Sequence, residues 1–301
     1  MRRLVPLLVF VAACRPPAPT PPVPEPPAAT DDRPARPDVT VHHLSLSKGF
    51  YTVDVLVPSR FPPPRPAVVS LLGEEDAMLD AGLAVITFKT HWELLPKPKN
   101  PQPQPKNTVG KWLLASPTPR TIGQFYLGVI AATAEKTIPQ VLDAVLELPD
   151  VDARRLAVAG TSTNGFAVLM ALAAEPRLKA GVAIVACGDL HDFLHRSNLA
   201  MEGAPLDLDP EYDRWLHEKE PIRYPEKIVH AALLMVNGSD DQSIPASCAR
   251  ETARVFHRAY RKARAARRFR FVMLAGQGHN IAEPARDETI AWLRRWLLRR
   301  P

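Results

Sequence analysis

Three short stretches of the 301-residue sequence carry residue types that could do chemistry together. The first is LAVAGTSTNGF, residues 156–166, where an apolar run ends in Gly160 and an apolar helical pattern begins after Ser162. A strand that turns sharply into a helix lifts a serine hydroxyl clear of a sheet. It also leaves the next backbone N–H, that of Thr163, at a helix N-terminus where it can stabilise an oxyanion. Ser162 fits a nucleophile, but serine is also a common helix N-cap, and the stretch alone does not choose between them. The second is MVNGSDDQSIP (235–245), with Asp240 and Asp241 just beyond an apolar run. Either carboxylate could orient a histidine, or simply favour the turn. The third is MLAGQGHNI (273–281), which sets His279 in a glycine-flanked loop before the last helical pattern. A serine activated by a histidine, itself oriented by a carboxylate, would give nucleophilic attack on a carbonyl.

These stretches need a scaffold that brings three distant loops together, and the hydropathy pattern supplies one. Strands are expected at 40–46 and 50–58 as an antiparallel edge pair, then at 66–73, 83–89, 155–160, 180–188, 231–238 and 269–276. Helices are expected at 74–82, 164–176, 246–265 and 283–300, and over 121–150 with Pro139 as a kink or break. Residues 189–229 read as irregular, and the Pro- and Lys-rich 94–107 as loop. Apolar strands alternating with helices mean an α/β fold with a mostly parallel sheet covered on both faces. Functional groups gather beyond the C-terminal ends of such strands, where all three stretches lie.

In this order, Ser, Asp, His, the chain resembles the α/β-hydrolase superfamily over residues 40–300. GTSTNG matches its nucleophile elbow, NGSDDQSIP its acid loop and GQGHN its histidine loop. The run 151–189 looks like the dienelactone-hydrolase and prolyl-oligopeptidase-like branch. The resemblance implies Ser162 as nucleophile, His279 as base and Asp241, three residues after Gly238, as the acid, with Asp240 as second choice. It implies oxyanion donors at the backbone N–H groups of Thr163 and Glu74, and a reaction that needs no cofactor and no metal. It implies a small cap over the site, within 189–229, where Phe193, Met201, Tyr212 and Trp215 either line the pocket or pack the cap down. Packing is the preferred role for most of them, and the insert 91–120, with Trp92 and Trp112, is a candidate second wall. The activity implied is serine hydrolysis, of a small carboxylic ester first and of a short peptide second. A hydrolase fold that has lost catalysis and serves as a binding scaffold is the reading from another class. Two departures bear on it: Asn164 stands where the elbow usually has glycine, and Leu72-Gly73-Glu74 replaces the usual His-Gly loop. If the Glu74 carboxylate faced the pocket, it would repel an oxyanion.

The N-terminus adds an address. MRRLVPLLVFVAAC combines two arginines, a short apolar run and small residues before Cys14. That run has signal-peptide proportions and is too short to span a bilayer as a mature helix. VAAC resembles a bacterial lipobox, which implies a signal peptide at 1–13, a lipidated Cys14 and a location in the bacterial cell envelope; the alternatives are an ordinary signal peptide cleaved elsewhere and an uncleaved N-terminal anchor. Residues 14–38 are Pro- and Ala-rich and read as an extended linker. The hydrolase domain is then 39–301, monomeric by default, with a small ester or short peptide as substrate and the membrane as partner through the N-terminal lipid.

The remaining features point to less. With a net charge of +6, the basic runs 261–271 and 293–300 read first as solvated helix faces, and second as faces drawn to an anionic surface such as lipid headgroups. No nucleic-acid-binding motif is present. Nothing in the spacing of Cys187 and Cys248 sets their distance, and two buried small hydrophobes are preferred over a disulfide. His191 and His195 have the i, i+4 spacing of metal ligands on a helix, without a matching third ligand, and no metal is expected. The acidic 207–213 lacks the pattern of a calcium loop and reads as a polar cap segment. His42 and His43, on an edge strand, need no role.

Overall fold

In the computed structural model, residues 36–47, 49–90, 122–197, 208 and 210–298 are described. They form an eight-stranded sheet in the order β1-β2-β4-β3-β5-β6-β7-β8. The strands are β1 (Val39–Leu46), β2 (Tyr51–Pro58), β3 (Arg65–Leu71), β4 (Ala84–Thr90), β5 (Val151–Thr161), β6 (Leu178–Ile184), β7 (Ala232–Gly238) and β8 (Phe269–Leu274). β2 pairs antiparallel with both β1 and β4, and every other pairing is parallel. The expected α/β fold with a mostly parallel sheet is therefore the fold observed, down to the antiparallel edge pair.

Burial explains the strand sequences. β7, ALLMVNG, is buried at every position because helices cover both faces. β1, at the sheet edge, alternates between half-buried and exposed residues along most of its length. There His43 faces Asp54 across the β1–β2 pair, with Nδ1 2.7 Å from Oδ1.

The covering helices are α1 (Glu75–Asp80), α2 (Ile122–Ala132), α3 (Ile138–Val145), α4 (Thr163–Ala174), α5 (Leu190–Arg196), α6 (Pro210–Lys219), α7 (Ala246–Lys262) and α8 (Ala282–Leu293). On α7 the buried set Cys248, Ala249, Thr252, Ala253, Phe256 and Tyr260 forms one stripe. Arg261, Lys262, Arg264, Arg267, Arg268 and Arg270 are exposed, as expected of a solvated basic face. None of the described helices is long and apolar enough to cross a membrane.

Three expectations are corrected. Of the kink or break expected at Pro139, the break is absent, since the helical run continues through it. A π-helical turn, Thr133–Thr137, precedes it and joins α2 to α3, widening the ladder where the proline has no N–H to give. The segment 189–229 is not irregular throughout, since it carries α5 and α6 and two short 3₁₀ turns. Cys187 and Cys248 are paired, with S–S 2.02 Å and Cα atoms 5.7 Å apart. Parallel packing sets the chain just past β6 beside the start of α7, a proximity that a sequence separation of 61 could not reveal. Residues 1–35 and 91–121, with Cys14, Trp92 and Trp112, and Met201 within the cap segment lie outside the described residues.

Closing a loop of this length restricts the unfolded chain by about 4 kcal/mol in the chain-entropy view. Cys248→Ser should lower Tm by about 5–15 °C in a thermal melt, and a reductant should do the same to the parent protein.

Candidate active site

The site is built at the C-terminal ends of β5, β7 and β8. β5 ends at Thr161 and α4 begins at Thr163, so the whole reversal falls on Ser162. Its backbone adopts φ 56°, ψ −124°, a region that L-residues avoid at a cost of about 1–3 kcal/mol. The Ser162 N–H donates to the Ile184 carbonyl at 2.9 Å, and the Ser162 carbonyl accepts from Gly165 (2.8 Å) and Phe166 (3.2 Å). Ser162 thus occupies the N-cap position, yet its side chain makes no capping bond. The hydroxyl goes elsewhere, 2.9 Å from His279 Nε2.

Two glycines let the helix start this close to the sheet. A Cβ on Gly160 would sit 2.5 Å from the Asn164 carbonyl oxygen, and one on Gly165 would sit 2.8 Å from that of Ile184. Asn164, the departure from the usual elbow, has a place of its own. Its Nδ2 donates to the Leu71 carbonyl at 3.2 Å, tying the elbow to the end of β3.

The acid and histidine loops are zipped together by their backbones. Ser239 N–H donates to Leu274 O (3.0 Å) and Asp240 N–H to Gln277 O (2.9 Å). The Gly276 N–H donates to the Ser239 hydroxyl at 2.8 Å. Gly238 makes the approach feasible, because a Cβ there would lie 2.3 Å from Gln277 O and 2.4 Å from Gly278 O. In this arrangement Asp241 meets His279, with Nδ1 2.9 Å from Oδ2 and 3.2 Å from Oδ1. The Asp241 side chain is fully buried, and Oδ1 also accepts the N–H groups of Ser243 (2.8 Å) and Ile244 (2.9 Å). Its neighbour Asp240 is exposed and accepts the Ser239 hydroxyl at 2.6 Å.

Thr163 is the first residue of α4, where helix geometry supplies no carbonyl one turn earlier for its N–H. Glu74 lies at the turn from β3 into α1. Its carboxylate is engaged by the Arg286 guanidinium of α8, at 2.7 and 3.2 Å. The negative charge is thereby compensated by a helix that follows the histidine loop.

In the cap, Phe193 is buried and packs on Phe166 of α4, with ring centroids 4.9 Å apart. Tyr212 and Trp215 pack on one another, ring centroids 5.2 Å apart and planes tilted by 30°, and lean on the core. His195 is exposed, away from the company that His191 keeps. His191 of α5 lies between two carboxylates, with Nδ1 2.5 Å from Glu220 Oε1 and Nε2 2.8 Å from Asp213 Oδ1. In the sequence Asp213 stands out only as the end of the acidic segment 207–213, and nothing singles out Glu220. The signal available was the i, i+4 spacing of Asp213 and His217 on α6.

Chemically, a hydroxyl bonded to an imidazole whose far nitrogen faces a buried carboxylate can be deprotonated as it attacks a carbonyl. The profile of the prolyl oligopeptidase family matches residues 127–299, more than half of the chain and the part that contains Ser162, Asp241 and His279. A Bacillus subtilis (strain 168) protein named "Putative esterase YitV" is 25% identical over 153 residues, covering 49% of this chain and 59% of its own. The acylaminoacyl peptidase of Pyrococcus horikoshii superposes with a TM-score of 0.62 at 13% identity, over 88% of this chain and 43% of its own. TT1662 from Thermus thermophilus superposes at 0.57 with 19% identity, over 87% of this chain and 99% of its own. At these identities the structural likenesses speak to the fold alone. The chain spans little more than half the length of the YitV relative and under half that of the archaeal peptidase.

The Gly238 contacts make a test of loop geometry. Gly238→Ala must push back the 277–278 backbone, and so should separate His279 from Asp241 while the sheet stays folded. The expected result is an unchanged far-UV circular dichroism spectrum with reactivity of Ser162 toward a fluorophosphonate reduced at least roughly ten-fold.

Proposed function

The chain belongs to the prolyl oligopeptidase family, and from that premise we propose that it is a serine hydrolase cleaving carboxylic esters of small molecules. Ser162 is the nucleophile. His279 takes the serine proton during attack and returns it to the leaving group, while Asp241 holds the imidazole in place and stabilises its charged form. The backbone N–H groups of Thr163 and Glu74 receive the oxyanion, and water then releases the acyl group. The observation that carries this reading is the unbroken chain from Ser162 Oγ through His279 to Asp241, at 2.9 Å on each side of the ring, set on a strained turn. The Glu74–Arg286 pair supports it, because the carboxylate beside the proposed oxyanion donor is neutralised.

The family match favours a second reading, a short peptide as substrate for the same machinery. A p-nitrophenyl acetate and butyrate assay, run beside peptide p-nitroanilides, separates the two. Ester turnover is expected to exceed peptide turnover, and Ser162→Ala should remove at least about a thousand-fold of it. If neither class is turned over and a fluorophosphonate leaves Ser162 unlabelled, the protein is an inert hydrolase-fold scaffold.

The same proposal tethers the enzyme to the bacterial cell envelope. Residues 1–13 are a signal peptide, Cys14 carries the lipid, 14–38 are the linker and 39–301 the catalytic domain, monomeric. The Cys187–Cys248 disulfide supports export, since such bonds persist in oxidising compartments. Metabolic labelling with a fatty-acid analogue should mark the membrane fraction of the full chain, and Cys14→Ser should abolish the label.

A further inference from the structure

We propose that His191, Asp213 and His217 form a binding site for a divalent transition metal such as Zn²⁺, which clips α5 to α6 in the cap. The inference is independent of the hydrolase chemistry. Asp213 and His217 stand i, i+4 on α6 and so share one helix face, while His191 comes from the first turn of α5. The Asp213 carboxylate lies between the two rings, with Oδ1 2.8 Å from His191 Nε2 and Oδ2 3.7 Å from His217 Nε2. The two imidazoles are 4.6 Å apart, and one ligand atom from each of the three residues falls within 4.8 Å of the others. Zinc with nitrogen and oxygen ligands at about 2.0–2.2 Å needs ligand atoms roughly 3.3 Å apart in a tetrahedron. The distances present lie on both sides of that value, so a bound ion requires the three side chains to adjust around it.

The surroundings supply what a metal-bound histidine needs. Its second nitrogen usually donates to a carboxylate, which fixes the tautomer and aims the other lone pair at the metal. Glu220 does this for His191. Its Oε1 is 2.5 Å from Nδ1 and also accepts the His191 backbone N–H at 2.8 Å. Glu220 is buried and is held in turn by Arg223. With Nδ1–H donating to Glu220, His191 Nε2 faces Asp213 as a lone pair facing a carboxylate. That contact is attractive only with a cation between the two groups, either a second ring proton or a metal ion. His217 is half-exposed, which opens a route from solvent, and three protein ligands leave a fourth position for water. His195, four residues from His191, is turned to solvent and takes no part.

The test uses the untagged full chain stripped with a chelator and titrated with Zn²⁺ against a chromophoric competitor, with Co²⁺ as a spectroscopic probe. The expected result is one equivalent per chain, a tetrahedral Co²⁺ visible spectrum and a Tm that rises with zinc concentration. His217→Ala, at a half-exposed position, and Asp213→Asn should each weaken binding by roughly ten- to a hundred-fold or more, while His195→Ala leaves it unchanged. Circular dichroism confirms that each variant is folded. If the parent chain binds no zinc, or if folded His217→Ala and Asp213→Asn bind as tightly as the parent, the proposal is overturned and the cluster is a protonated ion-pair network.

Discussion

Helix α4 has to begin one residue after β5 ends, and most of what distinguishes this protein follows from that constraint. A buried parallel strand cannot turn into a helix so abruptly with ordinary backbone angles. Ser162 takes the left-handed angle, and Gly160 and Gly165 remove the side chains that would block the approach. The local cost is about 1–3 kcal/mol, and the surrounding sheet must bear it. Hydrogen bonds to Ile184 and Leu71, from Ser162 and Asn164, anchor the turn to the strands on either side. The serine hydroxyl is thereby left without a capping role and free to meet a partner.

That partner arrives by a different device. The loops after β7 and β8 are adjacent because their strands are, and three backbone or backbone–hydroxyl hydrogen bonds lock them together. Gly238 is to this junction what Gly160 is to the elbow, a position kept bare so that a neighbouring backbone can pass. Asp241, rather than Asp240, then lies under His279. The two aspartates differ by one residue, and the turn sends one inward and the other to solvent.

The cap is fastened more heavily than its composition suggests. The disulfide ties the chain just before α5 to α7, Phe193 docks on α4, and the His191–Glu220–Asp213 chain joins α5 to α6. Each of these contacts is non-local, joining residues far apart in the chain.

By itself the sequence determined the α/β alternation, the strand count of the main sheet and the order in which Ser162, Asp241 and His279 follow its strands. These are legible because hydrophobic periodicity and turn chemistry are local, encoded within a few residues of where they act. Helices α5 and α6 leave little periodic signal because the segment holding them is short in apolar residues and rich in charge. Pro139 does not break its helix because a π-helical turn can absorb a proline that propensity alone would treat as a break. Only the tertiary structure decided that Cys187 meets Cys248, that Asn164 reaches Leu71, that Glu74 is answered by Arg286, and that His191 finds its partners on α6 rather than in His195. Each is a distance between residues far apart in the chain. Such distances are set by how strands stack and helices cross, and no spacing in the sequence records them.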